Sequence, residues 1–579
     1  MASTAEIPAI PAAVAPAKET KAERVERLKR AKNPWEHLEE IRAFARHGRD
    51  SVLPEWLGVY LRWWGIYSQG DGAGVVAGGG GEGRATKYFM LRIRIPNGIL
   101  RSSQLRTIAA LAERHARSAA DITVRQNIQL HWLTIEDIPA VIDALEASGL
   151  TPKSACGDVA RNMTGCPLAG VAADEICDAS PLTLAAARLL SGNEEFYNLP
   201  RKFKVSITGC PVWCSYPEIN DVGLTAIERQ RHGRREVGFS LRVGGGLSAD
   251  PHLAARLDAF VRWEQVLPVV RAIAEIFREQ ECLRVNRDRA RVKHLFTRHG
   301  WTPEHFLNEL NARLGFELEP AEPENPPADV YRDHVGVHPQ RQTGLFYVGA
   351  AVLRGRITPE QIRAAAGLAD RYASGDLRTT SMQNLVIINV PRANMDEVVR
   401  GLEDAGLRVA ASPFWRGAIA CTGTEFCKLA ITETKTFTRW LVEELSERLP
   451  AFDQQLKLHV AGCPNACGQH WIADIGLEGK KLKVGRELVD AYYFCLGGAV
   501  GQFQQIARPI GYRCAATEVP EAIERLLTAY LTKRREEENL REYFSHHSDD
   551  ELRAQLAGHA LAAVPRDPSP GPVPHGVAD

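Results

Sequence analysis

The chain carries part of its own sequence twice, and this internal duplication constrains its fold more than any other feature. GILRSSQLRTIAALAERHARSAADITVRQNIQLHWL in the first half matches GRITPEQIRAAAGLADRYASGDLRTTSMQNLVIINV in the second. Gln104 falls on Gln361 and Gln126 on Gln383, both at an offset of 257 residues. Self-similarity of this kind predicts two related halves arranged about a pseudo-twofold axis.

A second pair of matching blocks follows each repeat. KVSITGCPVWCSYPEINDVGL matches KLHVAGCPNACGQHWIADIGL, with Cys210 on Cys463 and Cys214 on Cys467, at an offset of 253 residues. In each block an apolar run leads directly into a Gly-Cys-Pro turn, which predicts a strand followed by a loop.

Alternating apolar patterns and capping residues predict the elements of each half. In the first half they predict strands over Tyr88–Ile95 and Ile128–Leu133 and helices from Ser102 and over 137–148. In the second half they predict a helix capped by Thr358, a strand over Leu385–Val390 and a helix over 394–405. After Pro520 the charged stretch AIERLLTAYLTKRREEENLREYF predicts one long helix.

Four cysteines in the second half have the pattern of a metal centre: Cys421 and Cys427 in CTGTEFC, and Cys463 and Cys467 in AGCPNACG. Four thiolates from two short loops suit one cubane iron-sulfur cluster. Zinc is the alternative, but five residues between Cys421 and Cys427 are long for a zinc knuckle, so the spacing favours a cluster.

The duplication indicates that only the second half has the complete ligand set. Met163 and Ala169 stand where Cys421 and Cys427 are expected in the first half. We therefore interpret Cys210 and Cys214 as buried relics of symmetry, with a second metal site as the alternative. The other cysteines are interpreted as packing residues: Cys166, Cys177, Cys282, Cys495 and Cys514.

Composition indicates a globular protein of several domains. The 579 residues are 45% hydrophobic and 25% charged, and the net charge is zero, so no nucleic-acid or membrane partner is expected. The N-terminus lacks the apolar core of a signal peptide, and no apolar run is long enough to span a bilayer. A cytoplasmic location is expected, where the 12 cysteines stay reduced.

These motifs together resemble the siroheme-dependent nitrite and sulfite reductases over about residues 55–530. The resemblance rests on CTGTEFC with GCPNACG and on TVRQNIQLH, RNMTGCPLAG, LPRKFK and VGGGLS. It implies that the four cysteines hold a 4Fe-4S cluster and that Cys467 bridges it to siroheme. It also implies an α+β, pseudo-twofold fold made of ferredoxin-like half-domains and two siroheme and Fe-S binding α/β domains.

The resemblance implies two further sets of residues. The siroheme-binding set is Thr123, Arg125, Gln129, His131, Gly244, Gly245, Gly246, Arg291 and Lys293, with the three glycines presenting backbone amides. The substrate-binding set is Arg92, Arg161, Lys202 and Lys204, whose charges would attract and polarise a small oxyanion.

Several of these residues have ordinary alternatives when taken alone. His131 would be a strand histidine at an interface, VGGGLS a plain loop, and RKFK a solvated strand edge. Arg94 lies two residues from Arg92 and is a second candidate for the first substrate position. Tyr67 and Cys156 match a residue pair that is covalently linked in some relatives, with plain packing as the alternative.

The resemblance implies the following domains: a flexible N-terminal segment over 1–34, a helical region with a Gly-rich insertion over 35–82, half-domain 1 over 83–150, siroheme domain repeat 1 over 151–328, half-domain 2 over 329–408, the cluster and siroheme repeat 2 over 409–530, and a helical, Pro-rich tail over 531–579.

Six-electron reduction of nitrite to ammonia is the expected activity, and sulfite reduction on the same scaffold is the alternative. Lys204 favours sulfite, whereas Asn162 and CTGTEFCKLAITETK favour nitrite. GAGVVA at 72–77 has no preceding strand, so no nicotinamide site is predicted and electrons must come from a separate protein. We expect ferredoxin to bind a basic patch near the cluster that includes Lys428 and Lys435, and we expect a monomer.

A different class of function is a non-catalytic iron-sulfur carrier, or a protein stabilised by zinc. A carrier has no use for the four cations at Arg92, Arg161, Lys202 and Lys204, which therefore favour the enzyme. Haem absorption of the purified protein separates the two classes.

Overall fold

A computed structural model describes residues 19–69, 87–324 and 332–566. The Gly-rich segment at 72–77 and the last part of the Pro-rich tail lie outside the described residues. No described helix combines the length and the apolar character that crossing a bilayer requires.

Two five-stranded sheets form the half-domains, and each takes one strand from the other half of the chain. The strand order of the first sheet is Ile66–Ser68, Phe89–Ile93, Ile128–Leu133, Ala120–Ile122 and Arg356–Ile357. The strand order of the second is Gly336–Pro339, Leu345–Ala350, Leu385–Pro391, Asp376–Thr379 and Ile99–Arg101. All pairings in both sheets are antiparallel.

Two helices cover each of these sheets, and their apolar faces form one shared core with the strands. They are Ser102–His115, Ile138–Ala147, Pro359–Tyr372 and Met395–Asp404. Thr358 caps the third of these by accepting a hydrogen bond from the N–H of Gln361 at 3.3 Å. The strands and helices predicted for the two repeats are confirmed within a few residues.

Two mixed sheets carry the cysteine blocks, one in each half. The first has strands Val205–Thr208, Val222–Arg231, Arg234–Val243 and Ala255–Arg262. The second has strands Ala418–Ala420, Leu458–Ala461, Ile475–Val484, Glu487–Leu496 and Arg508–Ala515. Helices pack beside them at Ser180–Leu190, Val266–Glu279, Lys293–Arg298, Pro303–Leu314, Pro413–Gly417, Lys435–Arg448 and Val519–Lys533.

The terminal regions differ from the sequence prediction. Residues 1–34 were predicted as a flexible segment with a charged helical stretch, AERVERLKRAK, and the structure has that helix at Lys21–Ala31. The helix is held in place, because the fully buried Lys29 donates to Glu26 Oε1 at 2.6 Å and to the carbonyl of Leu199 at 2.7 Å. Two further helices follow it, at Leu38–His47 and Pro54–Gly58. Arg284 also donates to Glu26, at 2.6 Å, so this carboxylate joins the helix to a distant part of the chain.

The single long helix predicted after Pro520 is broken in the structure. It ends at Lys533, and separate helices follow at Leu540–His546 and Asp549–Ala557. Asn539 starts the second one by accepting a hydrogen bond from the N–H of Glu542 at 3.0 Å, a capping box that a continuous helix could not form. The beginning of the tail is also held, because Arg566 Nη2 lies 2.7 Å from Glu478 Oε2.

Candidate functional site

The four cysteines predicted to hold a cluster lie where two neighbouring strands end. Ala418–Ala420 and Leu458–Ala461 run parallel, so their carboxyl ends reach the same edge of the sheet. Cys421 follows the first strand directly, and Cys463 lies two residues after the second. Cys463 is buried and Cys467 is exposed.

The four thiols lie close enough to act on one another. Burial, followed by the neighbouring thiol of Cys467, raises the pKa of Cys427 to about 12 and also raises that of Cys421. The N–H groups of Gly462 and Leu429 donate to the sulfurs of Cys421 and Cys427, at 3.2 and 3.4 Å. Amide donors stabilise negative sulfur, so this set fits thiolates that bind a buried cationic cluster.

His131 lies against the cluster loop rather than in open space. Its ring stacks on Phe426 with 3.9 Å between ring centroids and an interplanar angle of 11°. Its Nδ1 is 3.3 Å from Gln69 Oε1, and its Nε2 is 3.4 Å from Asp121 Oδ2. Burial lowers the pKa of His131, so the ring is neutral and serves as a contact between the first half-domain and the loop of Cys427.

Lys435, which was expected in a surface patch for ferredoxin, is buried. It is 2% exposed, and its ammonium lies 3.8 Å from Asp121 Oδ1 and donates to the carbonyl of Arg354. The helix that begins at Lys435 packs against the half-domain, and the ion pair with Asp121 compensates the burial of the charge. The part of that prediction that concerns Lys435 is wrong.

The four cations predicted from the motifs lie in one region of the structure, since Arg161 acts on Lys202 and Lys202 acts on Lys204. Arg92 donates to the sulfur of Cys156 at 3.1 Å, and Arg92 and Arg161 both donate to the carbonyl of Ala155 at 3.3 Å. Arg94 points elsewhere, since it donates to the carbonyl of Ala187 at 3.4 Å. Arg92, and not Arg94, therefore lies beside Arg161.

Lys202 connects this pocket with the cluster cysteines. Burial, followed by the charges of Arg291 and Arg201, lowers the pKa of Lys202 to about 7, while the thiol of Cys467 acts in the opposite direction. Cys467 therefore lies near enough to Lys202 to act on its charge. The cluster cysteines and the group of cations are neighbours.

The backbone of Lys204 is held beside Lys202 by a hydrogen bond to a carboxylate. The side chain of Lys204 does not pair with that carboxylate. Its backbone N–H donates to Asp221 Oδ2 at 2.8 Å, and Arg291 forms the salt bridge to that carboxylate at 2.7 Å. Burial and the charges of Arg125 and Arg291 lower the pKa of Lys204 well below its usual range. Sequence reasoning missed Asp221, although its place in the duplicated block is a signal.

The second half contains an equivalent lysine and aspartate that pair with each other and not with an arginine. Lys457 and Asp474 stand 253 residues after Lys204 and Asp221. The N–H of Lys457 donates to Asp474 Oδ2 at 2.7 Å, and its ammonium lies 2.9 Å from the same carboxylate. In the first half, Arg291 takes the place of that ammonium, which leaves the amine of Lys204 for the pocket.

Arg125 lies among the same cations and is suited to a polyanionic ligand. It donates to Asn220 Oδ1 at 2.7 Å and to the carbonyl of Asn162 at 2.6 Å, and its buried Nε has no partner among the described residues. Burial lowers the pKa of Arg125 to about 9. The charge of Asp221 opposes this shift, and the charges of neighbouring arginines add to it. Siroheme carries many carboxylates, so this concentration of donors and positive charge fits it.

The remaining residues of the siroheme set have mostly supporting contacts. Thr123 Oγ1 accepts from the N–H groups of Arg125 and Asn127, at 3.3 and 3.2 Å, which shapes the turn. Gln129 lies opposite Arg92 in the sheet. Lys293 Nζ donates to the carbonyls of Leu247, at 2.9 Å, and Asp250.

The three glycines do not offer the free amides that were expected. Gly244, Gly245 and Gly246 donate to the carbonyls of Asp221, Asn220 and His252 at 2.8–2.9 Å. A Cβ at position 245 would stand 2.4 Å from the carbonyl oxygen of Glu218. Close packing of two backbones therefore requires this glycine.

The fold and the site together define an iron-sulfur redox enzyme, with four thiols grouped at one sheet edge and a group of cations close to them. Comparison with known proteins identifies the family. The nitrite and sulphite reductase 4Fe-4S domain matches residues 156–318 and 412–561, and the nitrite/sulfite reductase ferredoxin-like half domain matches residues 82–148 and 338–405. The chain belongs to the nitrite and sulfite reductase family.

Relatives named nitrite reductase and relatives named sulfite reductase both resemble this chain along most of its length. The assimilatory ferredoxin-dependent nitrite reductase of Haloferax mediterranei is 37% identical, with 87% of this chain and 88% of that protein covered. The ferredoxin sulfite reductase of Mycobacterium tuberculosis is 35% identical, with 90% and 94% covered. The solved structure of Mycobacterium tuberculosis NirA superposes with a TM-score of 0.85 at 34% identity, with 91% and 97% covered. The cofactors of the family are siroheme and a 4Fe-4S cluster, and the thiols and cations described above fit them.

Proposed function

We propose that this protein reduces nitrite to ammonium with electrons from reduced ferredoxin. Each nitrite takes up six electrons and eight protons and releases two water molecules. The observation that carries the proposal is the position of Cys467, whose sulfur belongs to the cluster set and also acts on Lys202 in the anion pocket. A cluster held by the four cysteines would supply electrons close to the cations that bind the anion.

The four cations bind and polarise the substrate in this proposal. Arg92 and Arg161 hold the oxygens of the anion, because guanidinium groups form directed pairs with small oxyanions. Lys202, with a pKa of about 7, gives up and regains a proton near neutral pH. Lys202 therefore supplies protons as each oxygen leaves as water, and Lys204 binds the anion beside it.

Siroheme, when bound, supplies an iron that accepts single electrons from the cluster. The residues that would hold its carboxylates are the proposed set Thr123, Arg125, Gln129, His131, Gly244, Gly245, Gly246, Arg291 and Lys293. Arg125 and Arg291 supply charge and directed donors, whereas His131 and the glycines act through packing.

The surface beside Cys427 is the proposed contact for ferredoxin. Leu429 is 46% exposed there, and Lys428 is half-buried at the same loop. Ferredoxins are acidic, so a lysine beside an exposed apolar side chain suits a short-lived complex near the cluster. We propose that the protein acts in the cytoplasm as a monomer.

Turnover with each substrate tests the assignment. We expect kcat/KM for nitrite to exceed that for sulfite when the siroheme-loaded protein is assayed with reduced ferredoxin. Sulfite reduction is the second candidate, since Lys204 lies in the pocket and relatives of both kinds match. A preference for sulfite would replace the proposal, and haem-loaded protein without turnover of either anion would favour a carrier.

Lys204→Asn tests whether this lysine sets the preference. Removing a charge from the pocket weakens the hold on the doubly charged sulfite more than that on nitrite. We expect the ratio of kcat/KM for nitrite to that for sulfite to rise about tenfold, which corresponds to roughly 1.4 kcal/mol. An unchanged ratio would contradict a contact between Lys204 and substrate.

A further inference from the structure

A second group of cysteines lies outside the cluster site. The sulfurs of Cys166, Cys210 and Cys214 all lie within 4.8 Å of one another, and all three residues are buried. Within residues 19–69, 87–324 and 332–566, no other three His, Cys, Asp or Glu residues bring ligand atoms this close together. The sequence had suggested packing for Cys166, and no spacing motif connects it with the other two.

The fold brings these thiols together in the same way as it assembles the cluster set. Cys210 and Cys214 lie in the turn after Val205–Thr208, and Cys166 lies two residues after Thr164, which pairs in parallel with Ser206. The trio therefore occupies the pseudo-twofold equivalent of the cluster site. Cys166 falls between Met163 and Ala169, the positions that match the two missing ligands.

The spacing of the sulfurs distinguishes one ion from a cluster. A tetrahedral zinc ion with Zn–S bonds of about 2.3 Å holds its sulfurs roughly 3.8 Å apart. The ligands of a cubane are spread wider because each binds a different iron, and no three of the four cluster cysteines meet the 4.8 Å limit. Three sulfurs this close suit a single ion and are too few for a 4Fe-4S cluster.

His334 stands beside the trio as a potential fourth ligand. It is 3% exposed, and neither ring nitrogen has a hydrogen-bond partner in the described structure. Its carbonyl lies against Gly349, on the strand that also carries Tyr347, and Tyr347 packs in the same apolar cluster as the three thiols. The backbone of His334 has a φ of +65°, which is uncommon for a residue other than glycine and is typical of functional positions.

The surroundings also suit a bound cation. The trio is embedded in an apolar cluster formed by Ala169, Val171, Ala172, Tyr347, Val386 and Ile388. Ionised sulfurs in apolar surroundings need a compensating cation, and a metal ion supplies it.

We propose that Cys166, Cys210 and Cys214 bind one structural zinc ion and that His334 completes the tetrahedron. The nitrogens of His334 are not within 4.8 Å of all three sulfurs, so its side chain rotates on binding. Binding replaces the three thiol protons, which are released to solvent. The first half of the duplication thus keeps a metal centre of a different kind at the place where the second half holds its cluster.

Zinc content of the purified holoenzyme tests this. We expect about one zinc per chain after dialysis against EDTA, and less than about a tenth of that in Cys210→Ser. Cys514→Ser is the matched control, because Cys514 is equally buried in the second half and outside both thiol groups. Iron per chain is measured in the same samples and is expected to stay unchanged, so the outcome does not depend on turnover.

A second measurement uses the unmodified protein, so its result does not depend on whether the Cys210→Ser variant folds. Zinc-edge X-ray absorption of the unmodified holoenzyme is expected to show three sulfurs at about 2.3 Å and one nitrogen at about 2.0 Å. Zinc that is absent after growth in zinc-supplemented medium, or unaffected by Cys210→Ser, would overturn the proposal. A disulfide within the trio, detected by mass spectrometry of the alkylated protein, would overturn it as well.

Discussion

At the scale of single residues, the duplication explains how a lysine became available for substrate. Lys457 and Asp474 form a closed ion pair in the second half, at 2.9 Å. In the first half the guanidinium of Arg291 forms the salt bridge with the carboxylate of Asp221, with 2.7 Å between Nη2 and Oδ2. A buried lysine without a carboxylate partner favours the neutral amine, so a nearby anion would stabilise the protonated form of Lys204.

Arg291→Gln is expected to return Lys204 to the ancestral pairing. Without the guanidinium, Asp221 draws the ammonium away from the pocket, and we expect KM for the anion to rise tenfold or more, the equivalent of roughly 1.4 kcal/mol. The double variant Arg291→Gln with Asp221→Asn removes the competing carboxylate. It is expected to recover part of the affinity, measured by nitrite titration of samples with matched siroheme content, whereas equal losses in both variants would refute the displacement.

Lys202 predicts a pH dependence of substrate binding. Its pKa is lowered to about 7, so the amine is charged below neutrality and becomes neutral as pH rises. KM for nitrite should therefore rise above about pH 7 by up to tenfold per pH unit. Lys202→Arg keeps its charge, and we expect a flat profile across the same range at constant ionic strength. Parallel profiles for the two proteins would contradict the role of Lys202.

At the scale of elements, each half contributes one strand to the sheet of the other half, and these exchanged strands connect the halves. A glutamine repeated in the two halves forms hydrogen bonds at each exchange. Gln126 donates to the carbonyls of Gly165 and Thr379 at 3.1 and 3.2 Å. Gln383 donates to the carbonyls of Ile122 and Ala420 at 3.0 and 3.1 Å. Both have a φ near +60°. Each glutamine thus connects its own cysteine block with the opposite sheet, so a shift of one half reaches the other.

Gln383→Ala is expected to weaken this connection between the halves. The substitution removes the hydrogen-bond partner of three buried groups: the carbonyls of Ile122 and Ala420 and the N–H of Ala420. Each unsatisfied group lowers the free energy of unfolding by roughly 1–3 kcal/mol when no water replaces the amide. Denaturant unfolding should show the loss of free energy, and Gln126→Ala should cost a similar amount. Gln455→Ala, at an exposed position, is the control and is expected to change little. Equal stability of Gln383→Ala and the control would contradict the role of the glutamine.

At the scale of the whole molecule, the two halves divide the work of one centre. The second half supplies the four thiols, and the first half supplies the cations of the pocket. Cys467 stands at the boundary between them. Neither half therefore holds a complete site, which is why the packing of the halves matters for the chemistry.

Cys467→Ser is expected to stop nitrite reduction with reduced ferredoxin while leaving the fold intact. A hydroxyl replaces the thiolate that joins the cluster to the pocket, so electrons lose their direct route. Circular dichroism checks the fold, and Cys514→Ala is the control that should keep full turnover. Turnover of the variant above about a tenth of the unmodified rate, equivalent to a barrier change below roughly 1.4 kcal/mol, would refute the bridging role.

The sequence predicted the repeated elements well, because apolar periodicity and capping residues act over short stretches of chain. Ile128–Leu133 was predicted to the residue, and the helices after it differ by one residue at each end. The broken helix at Lys533 and the buried Lys29 and Lys435 were not predictable in this way. Each depends on partners far away in the sequence, such as Asp121 for Lys435.

The sequence by itself determined the duplication, the four-cysteine motif and the family, since these are carried by residue identity and spacing. Only the tertiary structure decided which strands cross between the halves, that Lys204 is released from Asp221, and that Cys166 joins Cys210 and Cys214. The physical reason is the same in each case. Burial and charge compensation act between groups that are distant along the chain, so their effect exists only once the halves have packed.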